Sequence, residues 1–235
     1  MPRQFRLPLT APPCWDRASF AESPTNAQAL DLMDAWPAWP EGRLALVGAQ
    51  GAGKTHLARA WAERAGAVVV EAASPVSAPL DLAALRGRNV LIEDADRPLA
   101  DGPVDDEVLF HLINMAGVDG GSLLLTGRLA PVAWHSSVPD LRSRLNALAV
   151  ARIEAPDDIV LEALLRRGFE AAGIRPAADL YPYLMARLPR SAAEALAAVA
   201  ALDEASIEQG REVNKALALS VLDFGGDEDG DEEEG

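Results

Sequence analysis

The segment from Gly48 to Thr55 combines glycines, a lysine and a hydroxyl residue at a spacing that suits phosphate binding. It fits the pattern of a glycine, four residues, a glycine, a lysine, and a serine or threonine. The glycines let backbone N–H groups turn toward phosphate oxygens, and the N-terminus of a following helix adds partial positive charge. Lys54 would reach the β- and γ-phosphates, and the Thr55 hydroxyl would bind Mg²⁺. The sequence therefore predicts a site for a nucleoside di- or triphosphate, formed by Gly48, Ala49, Gln50, Gly51, Ala52, Gly53, Lys54 and Thr55.

Two acids, Glu93 and Asp94, end an apolar run that begins at Asn89. At a strand end, one carboxylate would hold Mg²⁺ and the other would orient an attacking water. Glu93 and Asp94 are both candidate Mg²⁺ ligands, and Asp94 is also the candidate catalytic residue. The simpler alternative for Glu93 and Asp94 is an acidic junction between a strand and a loop. The simpler alternative for the segment from Gly48 to Thr55 is a chance glycine-rich turn. A strand pattern before the loop and a helix pattern after it favour the functional interpretation of both motifs.

Apolar patterns along the first two thirds of the chain alternate between strands and helices. Strands are predicted at 43–47, 67–71, 89–94, 122–126 and 149–153, and helices at 26–36, 55–65 and 106–115. Strands that alternate with helices indicate a parallel sheet with helices on both faces. We therefore expect the α/β class for this part of the chain.

After Pro156 the pattern becomes helical. Helices are predicted at 157–172, 177–187, 191–209 and 213–222, and Ser191 with Glu194 forms a capping box at the start of the third. The chain is then expected to have four parts. These are an extended arm at 1–14, an α/β nucleotide-binding part at 15–155, a small all-α lid at 156–224 and a disordered acidic tail at 225–235.

Five short segments follow one another in an order that is typical of a single family. They are Gly53-Lys54-Thr55-His56-Leu57, Ile92-Glu93-Asp94-Ala95-Asp96, and the segments 123–128, 140–145 and 188–191. The series resembles the AAA+ module of the DnaA-related family over about residues 15–222. This resemblance implies the fold of an AAA+ P-loop NTPase, with ADP or ATP and Mg²⁺ as ligands.

The resemblance also implies roles for three polar residues. Thr126 matches the family's sensor 1 strand, Arg144 matches its arginine finger, and Arg190 matches sensor 2 in the lid. An arginine finger that enters a neighbour's nucleotide site can raise hydrolysis by roughly 10³–10⁵-fold. We expect Arg144 on a loop before the last strand, away from its own phosphate loop. Alternatively, Arg144 and Arg190 are ordinary surface arginines, and Thr126 is an ordinary polar residue at a strand end. The expected nucleotide contacts also include Phe20, Asn26 and His56.

The N-terminal segment from Gln4 to Leu9 resembles the hexapeptide that binds the bacterial sliding clamp. Pro8 biases Leu7 toward an extended conformation, which lowers the ordering cost of docking. Gln4 can donate and accept hydrogen bonds, while Phe5, Leu7 and Leu9 supply apolar groups for a groove. The alternatives are a disordered leader or an arm packed on its own domain.

Composition limits the classes of partner. The net charge is −15, and residues 225–235 contribute seven of the acids, so the remainder is still acidic. Because binding to DNA phosphates or anionic lipids requires a basic face, we expect no direct sequence-specific DNA binding and no membrane association. The sequence has one cysteine, no secretory signal and no apolar stretch near the roughly 20 residues that span a bilayer, which indicates a cytoplasmic protein.

These features together resemble the Hda-type regulators of the DnaA-related family. Such a protein would dock on the sliding clamp, hold ADP or ATP, and present Arg144 to the ATP bound by the initiator DnaA, thereby limiting replication initiation. Its own hydrolysis is expected to be slow, and a homodimer is compatible with the sequence. One alternative is a stand-alone AAA+ ATPase of the helicase-loader type. Another is a small-molecule P-loop kinase or a GTPase, although no guanine-reading motif is present.

Overall fold

The computed structural model of the chain describes residues 15–74, 80–98, 102–118 and 120–222. The predicted arm, with its docking residues Gln4, Phe5, Leu7, Pro8 and Leu9, lies outside these residues, as does the predicted acidic tail.

Five strands of the described residues form one sheet, in which every neighbouring pair is parallel. Its order is β2-β3-β4-β1-β5, with β1 (Arg43–Gly48), β2 (Val68–Glu71), β3 (Val90–Glu93), β4 (Leu123–Gly127) and β5 (Val150–Ile153). All of β1 is buried, as expected for a central strand that helices cover on both faces. Since the strands are parallel, their carboxyl ends lie along one edge of the sheet.

Eight α-helices occur in the described part of the chain. Four accompany the sheet, namely α1 (Ala27–Asp34), α2 (Lys54–Ala65), α3 (Asp106–Met115) and α4 (Pro139–Asn146). Four more follow the last strand, namely α5 (Asp158–Ala171), α6 (Leu180–Arg187), α7 (Ala192–Gln209) and α8 (Lys215–Val221). None of the described helices is long and apolar enough to cross a membrane.

The alternation of side chains along the strands produces a separate core on each face of the sheet. In β3, Leu91 packs with Leu57 and Trp61 of α2, whereas Ile92 packs on the other face with Leu112 and Ile113 of α3. Successive side chains of a strand point to opposite faces of the sheet, so the same strands contact both layers of helices. This packing holds α2, and with it the phosphate loop, against the sheet.

The four C-terminal helices have their own core. Leu165 and Phe169 of α5, Leu184 of α6 and Leu202 of α7 are fully buried in one cluster. Gly168 lets α5 approach α7 closely, because an added Cβ would lie only 3.1 Å from a Val199 methyl group. We refer to residues 158–222 as the helical segment.

Side-chain caps set the starts of several helices. Asp105, Asp157 and Asn214 each accept a hydrogen bond from the backbone N–H three residues ahead, which satisfies a donor that the helix itself leaves free. Ser191 caps α7 in the same way, accepting from Glu194 N at 3.3 Å. The predicted capping box is only half formed, since Ser191 N donates to the Pro189 carbonyl and not to the Glu194 side chain.

The predicted fold class is confirmed, since a five-stranded parallel sheet with flanking helices is followed by a helical segment. One expectation about Arg144 is wrong. It lies on helix α4 and not on a loop. The helix begins at Pro139, a residue suited to the first turn, and buries Leu141 and Leu145, which are one turn apart. Its eight residues contain too few apolar positions to show a clear helical period.

Candidate functional site

The phosphate loop joins the end of β1 to the start of α2, as its sequence predicts. Gly51 and Gly53 have φ values of +77° and +99°, which L-residues rarely adopt. Gly48 is required for a different reason, because a Cβ there would overlap the carbonyl oxygen of Ile153 on the neighbouring strand. The loop thus brings its backbone close to β5 and directs the first turn of α2 toward the carboxyl edge of the sheet.

Lys54 is buried within this loop. Its Nζ donates to the carbonyl oxygens of Gly48 and Ala49 at 2.8 and 2.9 Å. An ammonium group has three donors, so one is left for a ligand. Burial lowers the pKa of Lys54, and nearby Arg128 and Arg97 lower it further, although Asp94 and Asp96 oppose the shift. An anion at the loop would relieve this unfavourable environment.

A cleft of about 340 Å³ lies between the phosphate loop and the helical segment. Its floor runs from Gly51 to His56. One wall contains Trp15 and Phe20, and the opposite wall contains apolar residues of α5 and α7, namely Val160, Leu164 and Leu196. Small-molecule sites are typically apolar clefts of about 300–1,000 Å³ with a few polar groups. The cleft therefore offers apolar surface to a flat ring, next to the loop that suits phosphates.

His56 supports the aromatic wall of this cleft. Its ring lies 5.6 Å from Trp15 and 5.8 Å from Phe20, centroid to centroid. Its Nε2 lies 3.0 Å from both the Asp16 carbonyl oxygen and Ser19 Oγ. Because a carbonyl oxygen can only accept, Nε2 carries the proton and donates to it. His56 thus anchors residues 15–20 to α2.

The structure places Asn26 behind this wall and not in the cleft. Its side chain is buried, accepting from Ser23 N at 3.0 Å and donating to the Ala21 carbonyl at 2.8 Å. These bonds hold the turn that leads from Phe20 into α1. The predicted nucleotide contact of Asn26 therefore has no counterpart among the residues that line the cleft.

The helical segment contacts the phosphate loop directly. Ala192 N, at the start of α7, donates to the Gly51 carbonyl at 2.8 Å. A Cβ on Gly51 would overlap Ser191 Oγ and lie 2.9 Å from Ser191 Cβ. The backbone of the loop and the N-terminus of α7 therefore cannot move independently.

Both predicted acids are ion-paired with arginines of the same chain. Glu93 is buried, and its Oε2 accepts from Arg59 Nε at 2.6 Å. Arg59 also donates to Glu71 Oε1 at 2.8 Å. Asp94 Oδ2 accepts from Arg97 at 3.2 Å. Burial raises the pKa of Glu93, and the bond from Arg59 opposes that shift.

Of the predicted Mg²⁺ ligands Thr55, Glu93 and Asp94, both carboxylates pair with arginines in this arrangement. A magnesium ion takes carboxylate oxygens that are free to coordinate, whereas these two carboxylates already face guanidinium groups. The geometry therefore fits a loop for phosphates, beside which the charge of Glu93 is already neutralised by Arg59.

Thr126 and Asp94 lie together at the carboxyl edge of the sheet. Thr126 is buried, and its Oγ1 accepts a hydrogen bond from Asp94 N at 3.0 Å. Its carbonyl oxygen accepts from Ala95 N at 2.8 Å. Asp94 itself has a φ of +53°, so these bonds hold a backbone turn that a non-glycine residue rarely adopts. Thr126 thus fixes where the Asp94 carboxylate is placed.

Several residues of this region are not predicted by the sequence. Asp96 Oδ2 accepts from Arg128 N at 2.7 Å and Leu129 N at 3.2 Å, which ties the turn after β3 to the end of β4. Arg59 could have been found, since it follows Thr55 by four residues and so lies on the same face of α2. The apolar wall residues gave no signal of their own, because they belong to ordinary amphipathic helices.

Arg144 and Arg190 lie at different places relative to the cleft. Arg144 is exposed on α4 and shares a cavity of about 460 Å³ with Arg43, the first residue of β1. At about 3.3 Å per residue, that strand places Arg43 about 17 Å from the phosphate loop. Arg190 is exposed just before α7, where it pairs with Asp158 and does not line the cleft.

The fold and the loop together define the class, a P-loop protein with the AAA+ architecture. Domain III of the replication initiator DnaA from Thermotoga maritima superimposes with a TM-score of 0.74 at 18% identity, over 88% of this chain and 95% of that one. A RuvB variant from Thermotoga maritima gives a TM-score of 0.66 at 15% identity, over 88% of this chain and 71% of that one.

A further solved structure is DnaA bound to AMPPCP and single-stranded DNA, with a TM-score of 0.64 at 15% identity, over 83% of this chain and 68% of that one. These similarities establish a fold that DnaA and RuvB share. Neither protein-family models nor curated proteins match the sequence.

Proposed function

We propose that the chain holds ADP or ATP in the cleft and acts as a regulator of a partner AAA+ ATPase, the initiator DnaA. The phosphates would bind along the loop and at Lys54, and the base would lie between Phe20 and the apolar residues of α5 and α7. One structural neighbour, a DnaA, is described with the ATP analogue AMPPCP bound, which supports a nucleotide as ligand for this fold.

The contact between Gly51 and α7 supports a role for that nucleotide in setting the shape of the chain. The Gly51 carbonyl is hydrogen-bonded to the first residue of α7, so a ligand that reorders the loop acts on the helical segment without an intermediary. The acids that hydrolysis would need are engaged by Arg59 and Arg97. We therefore infer that the chain holds its nucleotide for long periods and hydrolyses it slowly.

The observation that carries the regulatory proposal is the placement of Arg144. Arg144 lies at the amino edge of the sheet, whereas its own phosphate loop lies at the carboxyl edge. Its side chain is exposed and forms no salt bridge with any described residue. An arginine so placed cannot reach its own nucleotide, but it can enter the site of a neighbouring molecule. There it would stabilise the charge that develops during phosphoryl transfer.

The remaining part of the proposal rests on the sequence. The segment Gln4 to Leu9, with Phe5, Leu7 and Pro8, would dock on the sliding clamp, which brings the protein to DNA despite its acidic character. Stimulated hydrolysis would convert DnaA to its ADP-bound form and so limit initiation of replication. Replacing Gln4, Leu7 and Leu9 by alanine should abolish capture by purified clamp, and undiminished capture would refute the docking.

The experiment that tests the regulatory role is ATP hydrolysis by DnaA in the presence of clamp on DNA. Wild-type protein should stimulate it, and Arg144→Ala should reduce the stimulation by at least about 100-fold, given the contribution of arginine fingers. Arg142→Ala is the matched control, because Arg142 is also exposed on α4 and should leave stimulation intact. Equal stimulation by all three proteins would remove Arg144 from the mechanism. Robust turnover without DnaA would favour the helicase-loader class instead.

A further inference from the structure

The pairing of Glu93 with Arg59 has a consequence for how nucleotide is bound. Thr55 and Arg59 are one helical turn apart on α2, so their side chains lie on the same face. Glu93 approaches that face from the end of β3 and meets the guanidinium of Arg59. The carboxylate that would face a metal next to Thr55 thus faces an internal cation.

The surroundings make Arg59 hard to displace from this position. Its guanidinium bridges Glu93 and Glu71, so moving it would leave two carboxylates without their counter-charge. The side chain of Glu93 is only 10% exposed, which prevents water from compensating for the loss. An uncompensated buried charge is strongly unfavourable. Arg59 engages Oε2 of Glu93, so a metal at the remaining oxygen would have to share the carboxylate with an internal cation, which disfavours its binding.

The other side of the loop supplies cations that could face phosphates in place of a metal. Lys54 has one free donor, and Arg128 directly follows β4 at the same carboxyl edge of the sheet. Arg128 is exposed and forms no salt bridge within the described part of the chain. Lysine and arginine both bind phosphate oxygens through charge-assisted hydrogen bonds.

We propose that the chain binds ADP or ATP without requiring Mg²⁺, with Arg59 as the positioning residue that neutralises Glu93 beside Thr55. This inference rests on the nucleotide binding of the proposed function but not on the action upon DnaA. It predicts a protein that keeps its nucleotide when divalent cations are removed.

The test is the affinity of the purified full chain for a fluorescent ADP, measured in excess MgCl₂ and in excess EDTA. For the wild type the two values should differ by less than about fivefold. In Arg59→Met, which keeps a long side chain but frees Glu93 and Glu71, EDTA should weaken binding by more than about fivefold. Arg64→Met is the control, since Arg64 is an exposed arginine on the same helix that lies near Asp34.

The outcomes separate this inference from the proposed function. A wild type that loses more than about fivefold of its affinity in EDTA would overturn it, while nucleotide binding itself would stand. An Arg59→Met protein as indifferent to Mg²⁺ as the wild type would also overturn it. Absence of binding under both conditions would overturn both proposals. A second measurement needs no variant. It compares the ADP-induced shift in melting temperature of the wild type in Mg²⁺ with the shift in EDTA.

Discussion

The two edges of the sheet differ in how their charged side chains are used. At the carboxyl edge, Glu93 pairs with Arg59 and Asp94 pairs with Arg97, and the helical segment covers the phosphate loop. At the amino edge, Arg144 is exposed and has no ionic partner among the described residues. Internal pairing suits an edge that retains a ligand, whereas an unpaired arginine suits an edge that meets another molecule. Variants that act on one edge should therefore leave the other unchanged.

The largest effect is expected from Gly51→Ala. The new Cβ would overlap Ser191, and the φ of +77° is unfavourable for alanine. The free energy of unfolding should therefore fall by about 3 kcal/mol. Gly66→Ala is the control, because Gly66 also has a positive φ but no atom within 4 Å of an added Cβ, and it should cost about 1 kcal/mol. Denaturant unfolding measures both. Equal costs would show that the loop and α7 are not coupled.

Lys54→Ala should weaken binding of fluorescent ADP by about thirtyfold, because the variant loses a charge-assisted bond to phosphate. The control is Lys215→Ala, which removes an exposed lysine paired with Asp179 on the helical segment. Stimulation of DnaA should persist in Lys54→Ala wherever ADP is saturating. Unaltered ADP affinity would mean that the loop does not hold the phosphates.

Phe20→Ala should weaken ADP binding by about fivefold through loss of the aromatic wall. Phe110→Ala is matched to it, since Phe110 is equally half-buried but lies on α3 and does not line the cleft. Titration with fluorescent ADP compares the two. A similar loss in both variants would point to general destabilisation and not to a contact with the base.

The smallest effect concerns Arg190 and its partner. Asp158 competes with phosphate for the Arg190 guanidinium, so Asp158→Ala should tighten ADP binding and Arg190→Ala should weaken it, each by about threefold. Both side chains are largely exposed, so the stability of either variant should change by less than about 1 kcal/mol. Shifts of affinity in the same direction would mean that Arg190 stays outside the nucleotide site.

Much of the fold could be predicted because its elements are bounded by strong local signals. The helix predicted at 106–115 is α3, whose start is set by the cap at Asp105, and β1 leads into the phosphate loop as expected. Helix α4 was missed because it has few apolar positions. The loop from Gly48 to Thr55 could be singled out because its glycines and lysine have one chemical use in common, whereas a wall residue such as Leu196 looks like any helical leucine.

The ion pairs could not be predicted from the sequence. Nothing in the order of residues shows that Arg59 reaches Glu93 or that Arg190 reaches Asp158, since each pair is more than 30 positions apart along the chain. The positions of the tryptophans could not be predicted for the same reason. Trp15 lines the cleft, while Trp36 and Trp39 pack around Trp61 in the core. Such partners are set by the packing of whole elements against one another.

The most direct test of the central claim asks whose nucleotide is hydrolysed. DnaA is loaded with labelled ATP, the present protein is loaded with unlabelled ADP, and the two are mixed with clamp on DNA. We predict rapid conversion of the label to ADP with wild-type protein and with Arg142→Ala, and only the basal rate with Arg144→Ala. Conversion at the wild-type rate with Arg144→Ala, or no stimulation by the wild type, would contradict the claim that this chain acts on a partner's nucleotide through Arg144.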